Sequence, residues 1–400
     1  MIRNRSLVSV AALLVILGCQ ERLSAPADCP DLCPGGYTLY EDTLFALPGG
    51  DSSAVGYLKA GQGSSLLVSW QFPLAENRAA YRFTRRADSL TINGTTRAYT
   101  VDSLALELSL LYRDTTVHGL KVYLYRLPVT VDSTATFADI DGAFSPATVV
   151  DSFLVDDSVV TKRLRVVYTG SDTTKLGIPA ADSAVLALGV QIRAAQGTGI
   201  RIGGAGAGSA GPSFITYVTV ANTDTSTVNR IVTPSIGFNT YVTQSPPVPD
   251  VDQLTVGGAP SARSLIRFPW NARLKDSATI VRATLQLLPA IPTEGLNGDS
   301  AQLVVRPILA DFGAKSPAVT ATSFTTARTV LPGLTDTVSV EVRSQLGAWQ
   351  GSKPVPPALS MQLAPEVSSY SRFVFGSSRT AGKVPRIIVT YALKFPFGEP

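Results

Sequence analysis

The residues that could do catalytic chemistry are few and widely spaced in this chain. Its only histidine, His118, lies between two predicted strands, where the role of a turn residue is expected. A Ser/His/Asp triad requires a histidine as its base, and the sequence contains neither a Gly-x-Ser-x-Gly elbow nor a His-Glu-x-x-His helix. We therefore do not expect a hydrolase of either kind.

Closely spaced carboxylates are the next candidates, because a glycosidase needs only two of them. The nearest clusters are Asp139 and Asp141, in Ala-Asp-Ile-Asp-Gly, and the pair Asp156-Asp157. Asp-x-Asp-Gly is a fragment of a calcium loop, which requires more oxygen ligands than this segment supplies. We interpret both clusters as solvated turns and keep Asp139 and Asp141 as calcium candidates. No other cofactor is expected.

Cys29 and Cys33, in Cys-Pro-Asp-Leu-Cys, could close a small disulfide loop in an oxidising compartment. A metal site would need two further ligands, and the single histidine is far along the chain. The surrounding prolines and glycines are typical of a linker. We predict a disulfide or a free pair within a tether, in preference to a metal or redox site.

The N-terminal segment has the pattern of an export signal. Arg3 and Arg5 precede an eleven-residue apolar run, Leu7 to Leu17, which is too short to cross a bilayer. The run ends in Ile16-Leu-Gly-Cys19, which resembles the lipobox of bacterial lipoproteins. An ordinary secretory signal with an unrelated cysteine is the alternative.

The lipobox resemblance implies a location. Residues 1–18 would be removed as a signal peptide, Cys19 would become the acylated first residue, and 19–36 would be a lipid-anchored tether. By the sorting rule of familiar Gram-negative bacteria, Gln20 after the cysteine implies the outer membrane. The expected partner of the N-terminus is therefore a membrane, reached through the lipid.

Length and charge limit the remaining possibilities. A mature chain of 382 residues exceeds what one hydrophobic core usually serves, which indicates two domains. Without Arg3 and Arg5, 32 basic residues face 30 acidic ones, and no basic run is longer than two residues. Nucleic acid is not expected as a partner, because phosphate binding requires a concentrated basic face.

Beyond Tyr37 the chain consists of short alternating runs separated by turn residues. Leu104, Leu106, Leu108 and Leu110 alternate with smaller or polar residues, which is the two-residue period of a strand with one buried face. No stretch of a dozen residues after the signal has apolar positions at helical spacing. The sequence predicts an all-β protein.

The two halves of the chain indicate an internal repeat. Leu58-Lys-Ala-Gly aligns with Leu254-Thr-Val-Gly at an offset of 196 residues. Further short matches follow in the same order: Asp42-Thr43 with Asn239-Thr240, 104–108 with 283–287, Tyr125-Arg126 with Val305-Arg306, Ile200-Arg-Ile-Gly with Phe373-Val-Phe-Gly, and Thr216-Tyr217 with Thr390-Tyr391. Each half contains eight or more strand candidates and no helical crossover.

This pattern predicts two tandem antiparallel β-sandwiches of jelly-roll type, since two half-apolar sheets can bury their apolar faces only against each other. We expect a first domain at 37–220, a linker at 221–234 and a second domain at 235–395.

The second half is similar to a known family. The order Asn239-Thr-Tyr-Val, Leu254-Thr-Val-Gly-Gly, Arg263-Ser-Leu-Ile-Arg-Phe, Ala283-Thr-Leu-Gln-Leu and Pro385-Arg-Ile-Ile-Val-Thr-Tyr resembles the DNRLRE domain over most of 238–393. The resemblance implies a β-sandwich related to carbohydrate-binding modules of secreted bacterial proteins. Its motifs are strands and turns, so they imply fold more than function.

Sugar-binding sandwiches commonly present exposed aromatic rings to the ligand. Of the three tryptophans, Trp70 and Trp349 are expected in the core. Trp270 follows the strand that ends at Phe268-Pro269 and is our candidate for a ligand contact.

Together these observations predict a non-catalytic, lipid-anchored envelope protein that binds polysaccharide or another surface polymer. The alternative is a structural or scaffolding lipoprotein that binds a protein partner through sheet edges. A cryptic glycan-active enzyme is the third hypothesis.

Overall fold

The computed structural model describes residues 38–56, 58–72, 76–176, 185–223, 225–246, 248–313, 315–351 and 355–393. The predicted signal peptide, the tether, Cys19, Cys29 and Cys33 lie outside these residues. Within them the all-β prediction is confirmed, because antiparallel sheets dominate the structure.

The strands of the first half follow the short alternating runs of the sequence. They are β1 (Leu39–Phe45), β2 (Asp51–Val55), β3 (Ser65–Trp70), β4 (Asn77–Phe83), β5 (Ser89–Ile92), β6 (Thr95–Arg113), β7 (Lys121–Arg126), β8 (Val149–Leu154), β9 (Lys162–Thr169), β10 (Ala187–Arg193), β11 (Thr198–Gly203) and β12 (Ser213–Ala221). The second half contains β13 (Thr227–Val232), β14 (Ile236–Thr243), β15 (Gln253–Gly257), β16 (Ala262–Arg267), β17 (Ala278–Leu287), β18 (Ala301–Pro307), β19 (Thr326–Val330), β20 (Val338–Glu341), β21 (Ala358–Ala364), β22 (Arg372–Gly376) and β23 (Arg386–Leu393).

Two short α-helices accompany the strands in the described residues, α1 (Phe137–Asp141) and α2 (Arg343–Gln350). Neither these helices nor any other helical segment in the described ranges has the length and apolarity that a membrane span requires. Non-α helical turns of three to six residues occupy Ala60–Gln62, Pro146–Thr148, Gly170–Lys175, Ala205–Ala210, Arg273–Ser277 and Thr322–Phe324.

The strands β3 to β14 pair into one twelve-stranded sheet around one core, and we call this part of the chain the first sandwich. Its twelve-stranded sheet runs β13-β12-β6-β11-β3-β4-β10-β7-β8, with β5 and β9 also paired to β6 and β14 paired to β4. The long strand β6 belongs to both layers, because its later residues pair with β11 and the sheet thereby curls over its own core. The predicted leucines at 104, 106, 108 and 110 all point into that core.

The second sandwich consists of two separate sheets. One has the order β1-β23-β17-β20, and the other has the order β19-β18-β21-β16-β15-β22 with β2 also paired to β16. Their facing side chains form a single core that includes Leu285 and Val389 from the first sheet and Val305 and Phe375 from the second. Burial of these aliphatic and aromatic groups is what holds the two sheets together.

The strand pairing does not follow the domain boundaries expected at 37–220 and 235–395. β1 and β2 pair with β23 and β16 of the second sandwich, whereas β14 pairs with β4 of the first. The segment 221–234, expected as a linker, contains β13, which forms a hairpin with β12. Alternation assigns the faces of a strand but not its neighbour, so sequence spacing could not place these boundaries.

The internal repeat is present in the strand order, although not all of the expected sequence matches are in register. β3, β4, β7 and β10 occupy the places of β15, β16, β18 and β21. By this correspondence, the segment of the first half that is equivalent to Leu254–Gly257 of β15 lies in β3. Leu58–Gly61, which was expected there, lies in the connection before β3. The sequence matches near the start of each half were therefore out of register.

Candidate binding face on the first sandwich

The candidate site is the outer face of the layer that contains β4, β10 and β7. Val122 and Leu124 of β7 and Val190 and Ile192 of β10 point into the core. Strand alternation therefore directs the residues between them outward, among them Tyr123 and Gln191. The sequence codes this face by placing aromatic and polar residues at every second position.

The segment between β7 and β8 covers part of this face. Its helix α1 places Ile140 against Ala80 and Leu127, and Phe144 packs on Tyr125 with ring centroids 4.9 Å apart. Gly189 permits this cover, because a Cβ at that position would lie 2.5 Å from the Phe144 ring. The covered part of the face is therefore apolar and closed.

A buried carboxylate lies at the margin of this covered region. Glu76 Oε1 accepts hydrogen bonds from Arg78 Nε at 2.7 Å and from Gln191 Nε2 at 2.5 Å, and Arg193 Nη1 lies 3.4 Å away. Gln191 in turn accepts a bond from the Tyr125 hydroxyl at 2.8 Å. Burial raises the pKa of Tyr125, so this phenol remains protonated and acts as a donor. The network fixes the side-chain orientations of Gln191 and Arg193.

The two calcium candidates, Asp139 and Asp141, form hydrogen bonds with other side chains of the first sandwich. The Arg78 guanidinium lies over the Phe137 and Phe144 rings and donates to Asp141 Oδ1 at 2.6 Å. Asp139 instead accepts bonds from the backbone and hydroxyl of Thr136 at the start of α1. These bonds hold the pKa of Asp139 below its usual value. Both carboxylates thus have structural partners in this fold.

The uncovered part of the face carries two cations on neighbouring strands. Arg193 of β10 and Lys121 of β7 are directly opposite one another in the strand register. The Arg193 guanidinium lies 3.6 Å from the Trp70 ring centroid, and Lys121 Nζ lies 5.0 Å from that of Tyr123. We call the group formed by Trp70, Lys121, Tyr123, Gln191 and Arg193 the cationic patch.

The electrostatics of the cationic patch are unbalanced. Like charges directly opposite each other across a strand pair are destabilising. Glu76 is shared among Arg78, Arg193 and Gln191, and Lys121 has no carboxylate at ion-pair distance among the described residues. On the other side of Lys121, the register partner is Leu154, which is 74% exposed. Arg78, Arg193 and Lys121 thus outnumber Glu76 and Asp141, the two carboxylates that pair with them, and the local charge is positive.

The tryptophans occupy different environments. Trp349 is buried in the second core, and Trp270 packs edge-to-face against it at the margin, with ring centroids 5.2 Å apart. The half-buried Trp270 ring is thus one side of an aromatic pair rather than an open platform. Trp70, expected in the core, is half-buried and supports Arg193.

His118 lies in the exposed turn between β6 and β7. Its Nδ1 is 2.9 Å from Asp157 Oδ2, and the Gly119 backbone donates to the other carboxylate oxygen. These two bonds lower the pKa of Asp157. Asp156 accepts bonds from the Ser158 hydroxyl and backbone, which lower its pKa as well. Both aspartates of the pair therefore accept hydrogen bonds within turns and remain exposed to solvent.

Sequence reasoning missed the cationic patch. Its signal was present in Lys121-Val-Tyr-Leu-Tyr, where large aliphatic residues alternate with a cation and two tyrosines. Lys121 and Arg193 are 72 residues apart, however, and only the pairing of β7 with β10 brings them together.

No group of three or more His, Cys, Asp or Glu side chains in the described part of the chain is arranged to hold a metal ion. The chain matches no protein-family model and no curated protein sequence.

Proposed function

We propose that this chain is a non-catalytic envelope protein that binds an acidic polysaccharide through the cationic patch of its first sandwich. The observation that carries the proposal is the cross-strand pair Lys121 and Arg193, each half-buried and placed over an aromatic ring on the outer side of the sheet. Carboxylate or sulfate groups of the polymer would relieve the repulsion between the two cations, and Tyr123 would contact the apolar face of a sugar ring.

The second sandwich provides an internal reference for this proposal. Aligned on their inward-facing residues, Lys121 and Arg193 correspond to Gln302 and Ala364, which are also register partners. The side chains at these two equivalent positions are therefore charged in the first sandwich and neutral in the second. A cation pair is not required for the strands to form, which supports a binding role for it.

Affinity electrophoresis in gels that contain a polyuronate tests the proposal. We expect the chain to be retarded, and we expect Lys121→Gln and Arg193→Ala each to weaken retardation about fivefold, the effect of losing one exposed ion pair worth about 1 kcal/mol. Arg328→Gln, which removes an exposed cation from β19, is the charge-matched control and should change little.

The outcomes separate the hypotheses. Equal retardation of the wild type and of a variant that combines Lys121→Gln with Arg193→Ala would place binding elsewhere. A loss confined to Trp270→Ala would return the site to the second sandwich. Absence of retardation on any acidic or neutral polymer would reject polysaccharide binding.

The anchoring of the protein is part of the proposal. We infer that Cys19 is acylated and holds the sandwiches to a membrane, on the strength of the lipobox-like sequence Ile16-Leu-Gly-Cys19 and of Gln20. The outer membrane of a Gram-negative bacterium and the kinship with DNRLRE domains belong to the same proposal. Labelling with a radioactive fatty acid, lost in Cys19→Ser, tests the lipid attachment.

A scaffolding role is the second candidate, and the edge strand β13 favours it. Among the described strands β13 pairs with β12 alone, and its Ile231 is 60% exposed. An unprotected edge of this kind can pair with a strand of another protein. Co-purification of a stable partner that Ile231→Lys releases would favour this function over polymer binding.

A further inference from the structure

Each half of the chain contributes its first two strands to the sandwich that consists mainly of the other half. β1 lies beside β23 and β2 beside β16, whereas β13 lies beside β12 and β14 beside β4. β12 corresponds to β23, because the orders β13-β12-β6-β9 and β1-β23-β17-β20 match strand for strand, and β4 corresponds to β16. The two strand pairs therefore fill equivalent places. The first half, β1 to β12, and the second half, β13 to β23, have thus exchanged their first two strands.

The side chains confirm that the two places are equivalent. Aligned through their partner strands, Asp51 of β2 corresponds to Asn239 of β14, and both are buried. Asn239 Oδ1 accepts a bond from the Ala205 backbone at 2.7 Å, in the turn after β11. Asp51 accepts bonds from the Ser378 backbone and hydroxyl, in the turn after β22. Reciprocal exchange of this kind is the relation between the subunits of a strand-swapped dimer.

The two connections that follow the exchanged pairs are also equivalent. β2 is joined to β3 by 56–64 and β14 to β15 by 244–252, nine residues in each case. The first connection crosses β14 so closely that a Cβ on Gly61 would lie 2.1 Å from the Asn239 carbonyl oxygen. Glycine is required at that crossing, and it marks the point where the first half passes from one sandwich to the other.

The two pairs differ in how they are attached. β13 and β14 are joined at both ends to strands of the folded body, through 222–226 and 244–252. β1 and β2 are joined to the described strands only through 56–64. Apart from their own turn at 47–50, the backbone bonds of this segment go to the second sandwich, as from Ala46 to Pro385 and from Gly56 to Ser261. The pair thus has a single covalent connection to the described strands, which is the arrangement that strand donation requires.

We propose that β1 and β2 can be donated to the second sandwich of another copy of this chain, which yields a reciprocal dimer. The donated pair would make the same contacts in either copy, including the Asp51 network and the bond between the Ser53 and Ser264 hydroxyls. Two quantities then set the equilibrium between the closed monomer and the dimer. The entropic cost of loop closure within one chain disfavours the monomer, and a higher concentration of the protein favours the dimer.

Mixed refolding of single-cysteine chains tests this directly. In a mature chain with Cys19, Cys29 and Cys33 changed to serine, one batch carries Ser53→Cys and a second carries Ser264→Cys, whose hydroxyls are 2.8 Å apart in the native pair. The two batches are unfolded, mixed, refolded over a range of concentrations and oxidised. We expect a disulfide-linked heterodimer whose yield rises with concentration and which is absent when folded batches are mixed briefly.

Two further samples make every outcome decisive. Ser53→Cys mixed with Thr329→Cys, an exposed position on β19 at the edge of the same sheet, should give no specific heterodimer. The double variant Ser53→Cys/Ser264→Cys should close within one chain at low concentration. If it closes and the mixed batches never cross-link, donation between copies is overturned. If it does not close, the pairing of β2 with β16 is itself wrong, and the proposal fails with it.

Discussion

The two sandwiches have corresponding strands and are completed in different ways. The first is built from one continuous stretch, β3 to β14, whereas the second combines β15 to β23 with two strands from the other end of the chain. Their outer faces differ as well, since Lys121 and Arg193 stand where the second sandwich has Gln302 and Ala364. The strand order is thus the same in the two sandwiches, while the continuity of the chain and the surface charge differ.

The largest effect is expected from removal of β1 and β2. Deletion of 38–55 takes the buried Leu44 and Ala46 from the second core and exposes one side of β16 and β23. The first sandwich keeps all of its strands, so hydrogen exchange followed by mass spectrometry should show lost protection in 253–393 and retained protection in 65–243. Equal loss of protection in both ranges would mean that the sandwiches form one cooperative unit.

A smaller effect on stability is expected from substitution of Asp51, the buried carboxylate of β2. Asp51→Ala leaves the Ser378 amide and the Arg379 guanidinium without this acceptor, and a lost buried hydrogen-bond partner costs about 1–3 kcal/mol. Asp51→Asn, which introduces the residue found at the equivalent place in β14, should cost less than the alanine variant. Urea unfolding monitored by tryptophan fluorescence measures both variants. Asp88→Ala, in an exposed ion pair, is the control and should be near neutral.

The contact between the sandwiches should depend on pH through Asp299. This buried carboxylate faces Arg201 of β11 at 3.5 Å, and burial raises its pKa above the ordinary 3.8 in spite of that cation. A raised pKa in the folded state means that stability is highest below the ordinary value and falls as pH rises through the shifted one. The fall amounts to about 1.4 kcal/mol for each unit of pKa difference.

Asp299→Asn removes this titration. Urea midpoints measured from pH 3 upward should therefore decline for the wild type relative to the variant across that window. Parallel curves for the two proteins would show that the carboxylate titrates normally in the folded state.

The smallest effect is a gain of function in the second sandwich. Gln302→Lys combined with Ala364→Arg recreates the cation pair on its outer face, where Gln302 is exposed. We expect retardation by a polyuronate to increase by up to about fivefold, the value of one exposed ion pair. An unchanged mobility would show that the aromatic supports Trp70 and Tyr123 are needed as well as the charges.

Much of the fold was predictable from local pattern. The alternating leucines at 104–110 predict the inward face of β6, and the structure buries all four. The repeat was detectable through motifs such as Ile200-Arg-Ile-Gly and Phe373-Val-Phe-Gly, which form the equivalent strands β11 and β22. The early matches failed because Leu58–Gly61 resembles β15 in sequence but lies in a connection.

The candidate site was much less predictable. Trp270 was the expected ligand contact on the basis of residue type, yet its ring packs against Trp349. The residues of the cationic patch come from three separated strands, and none of them is unusual by itself. Their combined chemistry exists only after β7 and β10 have paired.

Residue types and their spacing are enough to specify that this chain forms strands, which face of many strands is apolar, and that a repeat is present. Which strands are neighbours depends on the packed fold, and the strand exchange and the cationic patch follow from that choice. The physical reason is that backbone hydrogen bonds are nearly the same for any pair of strands, so they do not specify a partner. The choice is made by side-chain packing across the whole sandwich, to which residues as distant as Asp42 and Tyr391 contribute.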